Sequence, residues 1–329
     1  MKMQNKRVLV TGAGGFIGSH LVEKLVCLGA KTKAFIRYNS RNDMGLIELL
    51  PSDIRNELEI VTGDLRDIET VYNAMGGIDV VFHLGALIAI PYSYLSPRDV
   101  ITVNTIGTLN VLMAAKDVGV ERIIHTSSSE VYGTAQYVPI DEKHPLQAQS
   151  PYAASKISAD KIAESFYNSY DLPVATIRPF NTYGNRQSAR AIIPTIIIQA
   201  LTQEKIHLGN SYPRRDLTYV TDTVAGFIKI AESPESVGRV INIGNGYDIS
   251  VSELASKILS IMEKEMEIVF DQERSRPKKS EVDQLLADNT LAKQIIGWQP
   301  EVSLEEGLKR TIEWIEKSIN LYKPKVYNI

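Results

Sequence analysis

Cysteine is almost missing from this sequence: Cys27 is the only one in 329 residues, so no disulfide can close within the chain. A reducing cytoplasm is the compartment that fits such usage. Long apolar runs are also lacking. The longest, near Ile78–Pro91 and Ile192–Leu201, are too short and too interrupted to span a bilayer. Nothing resembling a signal peptide precedes the first β-branched run, Lys6–Val10. Basic charge is not in excess either. The formal net charge is -3, which gives no footprint for nucleic acid or an anionic membrane surface. Internal repeats and low-complexity linkers are missing. His83 and His125 fall at strand ends without metal-ligand spacing, so they read as hydrogen-bonded interior residues, and no metal is expected.

What is present is an ordinary globular balance, 44% hydrophobic and 23% charged. Short β-branched runs alternate with helical patterns through the first half. Candidate strands are Arg7–Val10, Thr32–Ile36, Glu59–Thr62, Val80–Leu84, Arg122–Thr126 and Val174–Arg178. Asn104–Val118 and Tyr152–Tyr170 are the clearest helices. After Pro179 the pattern loosens: helices are expected at Ala191–Gln203, Asp222–Ala231, Ser252–Lys264 and Leu304–Ile319, and strands at Thr218–Val220, Val240–Ile243 and Ile268–Phe270. The fold class is therefore α/β, a doubly wound parallel sheet with a smaller mixed α/β C-terminal domain. The expected division is discontinuous: residues 1–178 plus about 218–246 bind a dinucleotide, and about 179–217 and 247–329 bind the substrate.

Strand Arg7–Val10 runs into Thr11-Gly12-Ala13-Gly14-Gly15-Phe16-Ile17-Gly18 and then a helical pattern. Gly12 permits a tight turn, Gly15 lets backbone N–H groups approach a pyrophosphate, and Gly18 lets helix and strand pack closely. The helix N-terminus, beginning near Phe16 and Ile17, then faces the phosphates. No acidic residue ends the second strand. Arg37 stands there instead, either to accept the 2′-phosphate of NADP or as a solvated charge. Asp64, next to Leu65 after the third strand, either accepts from an adenine amino group or caps a helix.

Tyr152 and Lys156 form a Y-x-x-x-K pair, and a spacing of four puts both side chains on one helix face. An ammonium beside a phenol lowers its pKa, so Tyr152 could act as general base on a hydroxyl while hydride leaves for nicotinamide. Upstream, a strand ends in Thr126-Ser127-Ser128-Ser129-Glu130-Val131-Tyr132-Gly133, and Ser128 is placed to hydrogen-bond the same hydroxyl.

With those three parts in place, the whole chain resembles the extended short-chain dehydrogenase/reductases that act on nucleotide sugars. Ser128–Gly133 is similar to the Thr-Asp-Glu-Val-Tyr-Gly segment of the 4,6-dehydratases. Gly85–Ser93, Arg178–Gly184 and Arg186–Arg190 resemble a subgroup handling N-acetylhexosamine nucleotides on routes to legionaminic-type sugars. The resemblance implies that Tyr152 takes the C4 hydroxyl proton as hydride moves to nicotinamide. Glu130 then removes the C5 proton, the C6 hydroxyl leaves, and the hydride returns to C6. Glu130 separates this course from 4-epimerisation, which needs no base at C5; its plainer role is capping a loop.

Ser129 departs from the pattern, since the better-known dehydratases carry an Asp there that protonates the leaving hydroxyl. Either Ser129 relays a proton with Glu130, or the substrate arrives already dehydrated as a 5,6-ene. The Ser-Glu pair also resembles the uronate decarboxylases, although no arginine lies near Ser129 or Tyr152 in sequence to hold a carboxylate. A dinucleotide sensor without chemistry is the competing class, opposed by the joint presence of Tyr152, Lys156, Ser128 and Glu130.

The resemblance also places Asn181, Arg215 and Arg276 on the substrate pyrophosphate, where an arginine fork suits phosphate oxygens. Arg276 alternatively belongs to a solvated basic run with Arg274, Lys278 and Lys279. It further implies a homodimer in which Asn104–Val118 and Tyr152–Tyr170 form a four-helix bundle with their copies. NAD is the cofactor expected, by the likeness to that subgroup, with NADP the alternative raised by Arg37.

Overall fold

The computed structural model describes residues 1–271 and 277–323. Among these residues the strands are β1 (Arg7–Thr11), β2 (Lys31–Arg37), β3 (Glu59–Gly63), β4 (Val80–His83), β5 (Arg122–Thr126), β6 (Val174–Pro179), β7 (Asn181–Tyr183), β8 (Lys205–Leu208), β9 (Arg214–Tyr219), β10 (Val240–Ile243), β11 (Asp248–Ser250), β12 (Glu267–Phe270) and β13 (Gln284–Leu285). Seven of them form one sheet in the order β10-β6-β5-β4-β1-β2-β3, with every pairing parallel. Strands buried on both faces read as unbroken apolar runs. Alternation nevertheless sorts their side chains: Val8, Val10, Ala34, Ile36, Val80 and Phe82 enter one core, and Leu9, Phe35 and Val81 the other.

The α-helices are α1 (Phe16–Cys27), α2 (Ser52–Asn56), α3 (Ile68–Met75), α4 (Ile90–Leu95), α5 (Pro97–Ile101), α6 (Gly107–Val118), α7 (Pro151–Tyr170), α8 (Ile192–Thr202), α9 (Val220–Glu232), α10 (Val251–Ile261), α11 (Thr290–Ile296) and α12 (Leu304–Lys317). α1 and α9 supply Leu21, Val22, Leu25, Phe227 and Ile230 to the first core. α3, α6 and α7 supply Val71, Val111, Ala115 and Ala163 to the second. Helices therefore cover both faces, the doubly wound arrangement expected. Within that frame α7 starts sharply, because the Ser150 side chain accepts from Ala153 N–H and Pro151 sits in the first turn.

Beyond β6 the chain leaves the large sheet for β7, β8 and β9, then returns through α9 to lay β10 against β6. β9 carries a small sheet, pairing with β7 and β13 in parallel and β11 antiparallel. Trp298 is buried against this part, its indole N–H donating to Asp222 O at 2.9 Å. Among the described residues, no helix is long and apolar enough to cross a membrane.

Three sequence expectations need correction. The helix read as Asn104–Val118 is not uniform: Thr102–Ile106 forms a π-helical turn after α5, and regular α-helix starts at Gly107. The apolar period alone does not register one extra residue in a turn. The strand read at Thr218–Val220 begins earlier, at Arg214, and Val220 is the first residue of α9. The charged residues Arg214, Arg215 and Asp216 hid that strand, since two of them are paired with acids and Asp216 is wholly buried. Finally, Asp67 rather than Asp64 caps α3, accepting from Glu69 N–H at 3.1 Å.

Candidate active site

The turn after β1 is tight enough to dictate its residues. A Cβ at Gly18 would stand 2.2 Å from Gly12 O, and one at Gly12, where φ is +70°, 2.8 Å from Gly85 N. Gly15 is different: it is exposed, it caps α1 with extended backbone, and a Cβ there would meet only Gly12 O at 3.2 Å. Phe16 and Ile17 form the first turn of α1, whose unpaired N–H groups open toward Gly15. The cradle thus has the shape a pyrophosphate needs, small residues and free donors at a helix N-terminus. Leu65 packs beneath it, 2.6 Å from where a Gly85 Cβ would lie. Arg37 ends β2, exposed, with Gly63 as its neighbour on β3. The Asp64 carboxylate holds Arg66 at 2.6 Å, and that bond keeps its carboxyl below the usual range.

Tyr152 and Lys156 lie on the buried face of α7, 7% and 5% exposed. Burial pushes the Tyr152 phenol up to about 12, against a side-chain hydrogen bond from Ser128 that favours the phenolate. Burial likewise lowers Lys156 to about 8, with Asp160 one helical turn on working the other way. Lys156 donates to Thr126 O, the last carbonyl of β5. The sequence suggested a phenol already acidified by its lysine; in this state desolvation dominates instead. Ile90, Val100, Leu87, Tyr92 and Tyr94 wall the phenol in.

Immediately after β5 the chain makes a 3-10 turn over Ser129–Tyr132. Ser128 caps it, accepting from Glu130 N–H at 3.2 Å, so its own proton is left for Tyr152. Ser129 and Glu130 are 3% and 8% exposed, and the charge of Glu130 acts on the Tyr152 phenol. One turn therefore brings Ser128 and Glu130 to Tyr152, with Ser129 buried between them.

Of the proposed substrate anchors, Asn181 opens β7 opposite Leu217, and its buried Oδ1 has no hydrogen-bond partner. Arg215 lies two residues before Leu217 on β9, on the same side of the strand. Its guanidinium meets the Glu281 carboxylate at 3.3 Å, both being nearly buried. Arg276 lies outside the described residues. No cluster of metal-binding side chains is found among the described residues.

The family model described as GDP-mannose 4,6 dehydratase matches residues 9–311. The chain belongs to that family. It is an enzyme of the extended short-chain dehydrogenase/reductase group of nucleotide-sugar dehydratases and epimerases. It is 34% identical over 314 residues to a UDP-glucose 4-epimerase of Mycolicibacterium smegmatis, covering 94% of this chain and 98% of that one. It is also similar to the solved dTDP-glucose 4,6-dehydratase DesIV of Streptomyces venezuelae with NAD bound, at 28% identity and a TM-score of 0.86 over 97% of this chain and 99% of that one. TunA, an NAD-dependent NDP-hexosamine 5,6-dehydratase of tunicamycin biosynthesis, is 28% identical with a TM-score of 0.84, over 95% and 98% of the two chains.

Sequence reading missed the polar scaffold behind the site. Asp160, 5% exposed, accepts from His125 Nε2 at 3.0 Å, Ser127 Oγ at 2.6 Å and Arg178 Nη2 at 2.7 Å. Arg178 also donates to Tyr132 OH at 2.8 Å, and that hydroxyl donates to Asn242 Oδ1 at 2.8 Å. The available signal was Asp160 four residues after Lys156, on the same helix face.

The cradle gives a direct expectation. Gly15→Val should fold, because only a small local clash is created, yet lose dinucleotide affinity on the order of 100-fold as the helix N-terminus is screened. Fluorescence titration with NAD checks this, and an unchanged affinity would place the dinucleotide elsewhere.

Proposed function

We propose that this enzyme is an NAD-dependent nucleotide-sugar 4,6-dehydratase acting on a UDP- or GDP-N-acetylhexosamine. The observation that carries the reading is Glu130, a buried carboxylate on the turn that also brings Ser128 to Tyr152. An epimerase working only at C4 has no use for a second base beside its tyrosine. A sensor would have no use for the pair at all.

Gly12, Gly15, Phe16, Ile17, Gly18, Asp64 and Leu65 would hold the dinucleotide, and the NAD of DesIV and the NAD dependence of TunA support NAD as its identity. When bound, the nicotinamide supplies a hydride acceptor that later gives the hydride back. The protein's own residues manage protons. Tyr152 removes the proton of the C4 hydroxyl, with Ser128 donating to its oxygen and Lys156 stabilising the phenolate by charge. The resulting ketone acidifies C5–H, and Glu130 takes that proton. Protonated Glu130 then passes it to the departing C6 oxygen, so water leaves; as C6 is reduced, Glu130, reprotonated from solvent, gives a proton to C5, and Tyr152 releases the proton taken from C4, so both residues end as they began. Ser129, too weak an acid to do this alone, passes the proton by hydrogen bond. Asn181 and Arg215 would hold the substrate pyrophosphate. Ser129 also favours a second reading, in which the sugar arrives already unsaturated between C5 and C6 and needs no leaving-group acid.

Tyr152→Phe should lower turnover of UDP-N-acetylglucosamine by about 1,000-fold or more, with no reduced nicotinamide formed. Glu130→Gln should instead oxidise C4 and stall, leaving the absorbance of reduced nicotinamide high. If both variants stop at the same step, the division of labour is wrong.

The alkaline limb of activity follows from Lys156. A lysine whose pKa is lowered to about 8 is charged below that pH and loses its charge as pH rises through it. kcat should therefore fall above about pH 8 rather than near the unperturbed lysine value of about 10.4. A profile flat to pH 10 would show that the charge on Lys156 is not needed.

A further inference from the structure

His83 lies at the end of β4, 4% exposed, between the cradle and the π-helical turn. Both of its ring nitrogens are hydrogen-bonded, and the partners fix which one carries the proton. Thr108 Oγ1 donates its only proton to Asn104 O at 2.6 Å. Toward His83 Nε2, 3.0 Å away, Thr108 can only accept, so Nε2 bears hydrogen. On the other side Thr11 Oγ1 lies 2.8 Å from Nδ1 while accepting from Gly85 N–H at 3.0 Å. Nδ1 is the acceptor within reach of its proton, and burial, which holds the imidazole well below its usual range, leaves the ring neutral with Nδ1 bare.

The two ends of this relay matter more than the ring. At one end, Gly85 is the residue against which Gly12 closes, 2.8 Å from where a Gly12 Cβ would be. At the other, the π-helical turn aims Asn104 back across the site. The Asn104 side chain accepts from Leu87 N–H at 2.7 Å and donates to Leu87 O at 2.9 Å and Ser155 Oγ at 2.9 Å. Ser155 Oγ in turn donates to Tyr152 O at 2.7 Å. Two sets of hydrogen bonds, joined through the covalent frame of Asn104, thus run from Thr11, the residue before Gly12, to the backbone of the catalytic tyrosine.

We propose that neutral His83, held in its Nε2–H tautomer, is a positioning residue that keeps the dinucleotide cradle in register with Tyr152. It touches neither cofactor nor sugar. It acts through Thr11 and Gly85 on the cradle, and through Thr108 and Asn104 on the helix. Burial is the main reason it stays uncharged, helped by the groups facing it: His125, which stacks on it from β5 with ring centroids 6.0 Å apart, and the charge of Lys156 on α7. Protonating Nδ1 would turn the Thr11 proton away from the ring and leave its oxygen accepting from both the ring and Gly85 N–H, which shifts the hydroxyl beneath the cradle. The proposal rests on the reading that the cradle holds a nicotinamide dinucleotide.

Nitrogen-15 NMR of histidine-labelled protein tests the tautomer with no ligand present. The expected result is an Nε2–H ring at position 83 that does not titrate between about pH 5.5 and 8.5; an Nδ1–H ring, or titration in that range, overturns the proposal. The second arm uses Thr108→Val, nearly isosteric and on α6, remote in sequence from the glycine turn. It should weaken NAD binding by about 10-fold, a loss on the scale of one or two buried hydrogen bonds, and His83→Phe should do the same without adding to it. Circular dichroism confirms folding in each case. NAD affinity unchanged in Thr108→Val, or simple additivity in the double variant, overturns the coupling. Wild-type protein that binds no NAD at all would instead end the cofactor reading, leaving the NMR arm to decide the tautomer.

Discussion

A carboxylate buried in the middle of a helix must be either neutralised or surrounded by donors. Asp160 is surrounded. Burial by itself would raise its pKa, but the hydrogen bonds of His125 and Ser127 and the charge of Arg178 hold it well below the usual carboxylate range. Those three donors come from the end of β5, the residue just after it, and β6. Satisfying one charge therefore clamps α7 onto the two strands whose ends carry the site. Removing one partner of such a pair would leave its mate buried and uncompensated, at a cost of about 3–5 kcal/mol.

The consequences spread in both directions along these elements. Ser127, fixed by Asp160, leads directly into the turn bearing Ser128, Ser129 and Glu130. Lys156 precedes Asp160 by one helical turn and keeps part of its charge through it. Arg178 passes the constraint to Tyr132, and Tyr132 passes it to Asn242 on β10. On the substrate side, Asp216 does comparable work. Wholly buried and raised to about 6 by burial, it accepts from the backbone N–H groups of Asn245, Gly246 and Ala287, tying β9 to the segments beside it. The proton-handling side chains thus sit on elements that cannot shift independently.

The sheet was legible because its strands are apolar runs broken by turns, and their ends fall within a residue or two of the observed ones. The glycine turn was legible because Gly12 and Gly18 each answer a specific steric demand. Tyr152, Lys156 and the Ser128–Glu130 segment were legible from spacing and from likeness to a family. Other features were hidden for physical reasons. An extra residue in the π-helical turn leaves the apolar pattern unchanged, so Asn104 was noticed without its geometry. β9 was masked by charged residues that burial and ion pairs accommodate. The pairing of Arg215 with Glu281 joins residues far apart in the chain, which no local pattern records. The elevated Tyr152 pKa depends on enclosure by Ile90 and Val100, and enclosure is a property of the folded chain alone.

The central claim is that Glu130 extends the chemistry of Tyr152 from C4 to C5. Turnover of UDP-N-acetylglucosamine in heavy water, with the product read by proton NMR, tests it most directly. A product carrying deuterium at C5, a methyl group at C6 and a ketone at C4 is what the account predicts. A product merely inverted at C4, with its original hydrogen still at C5, would contradict it.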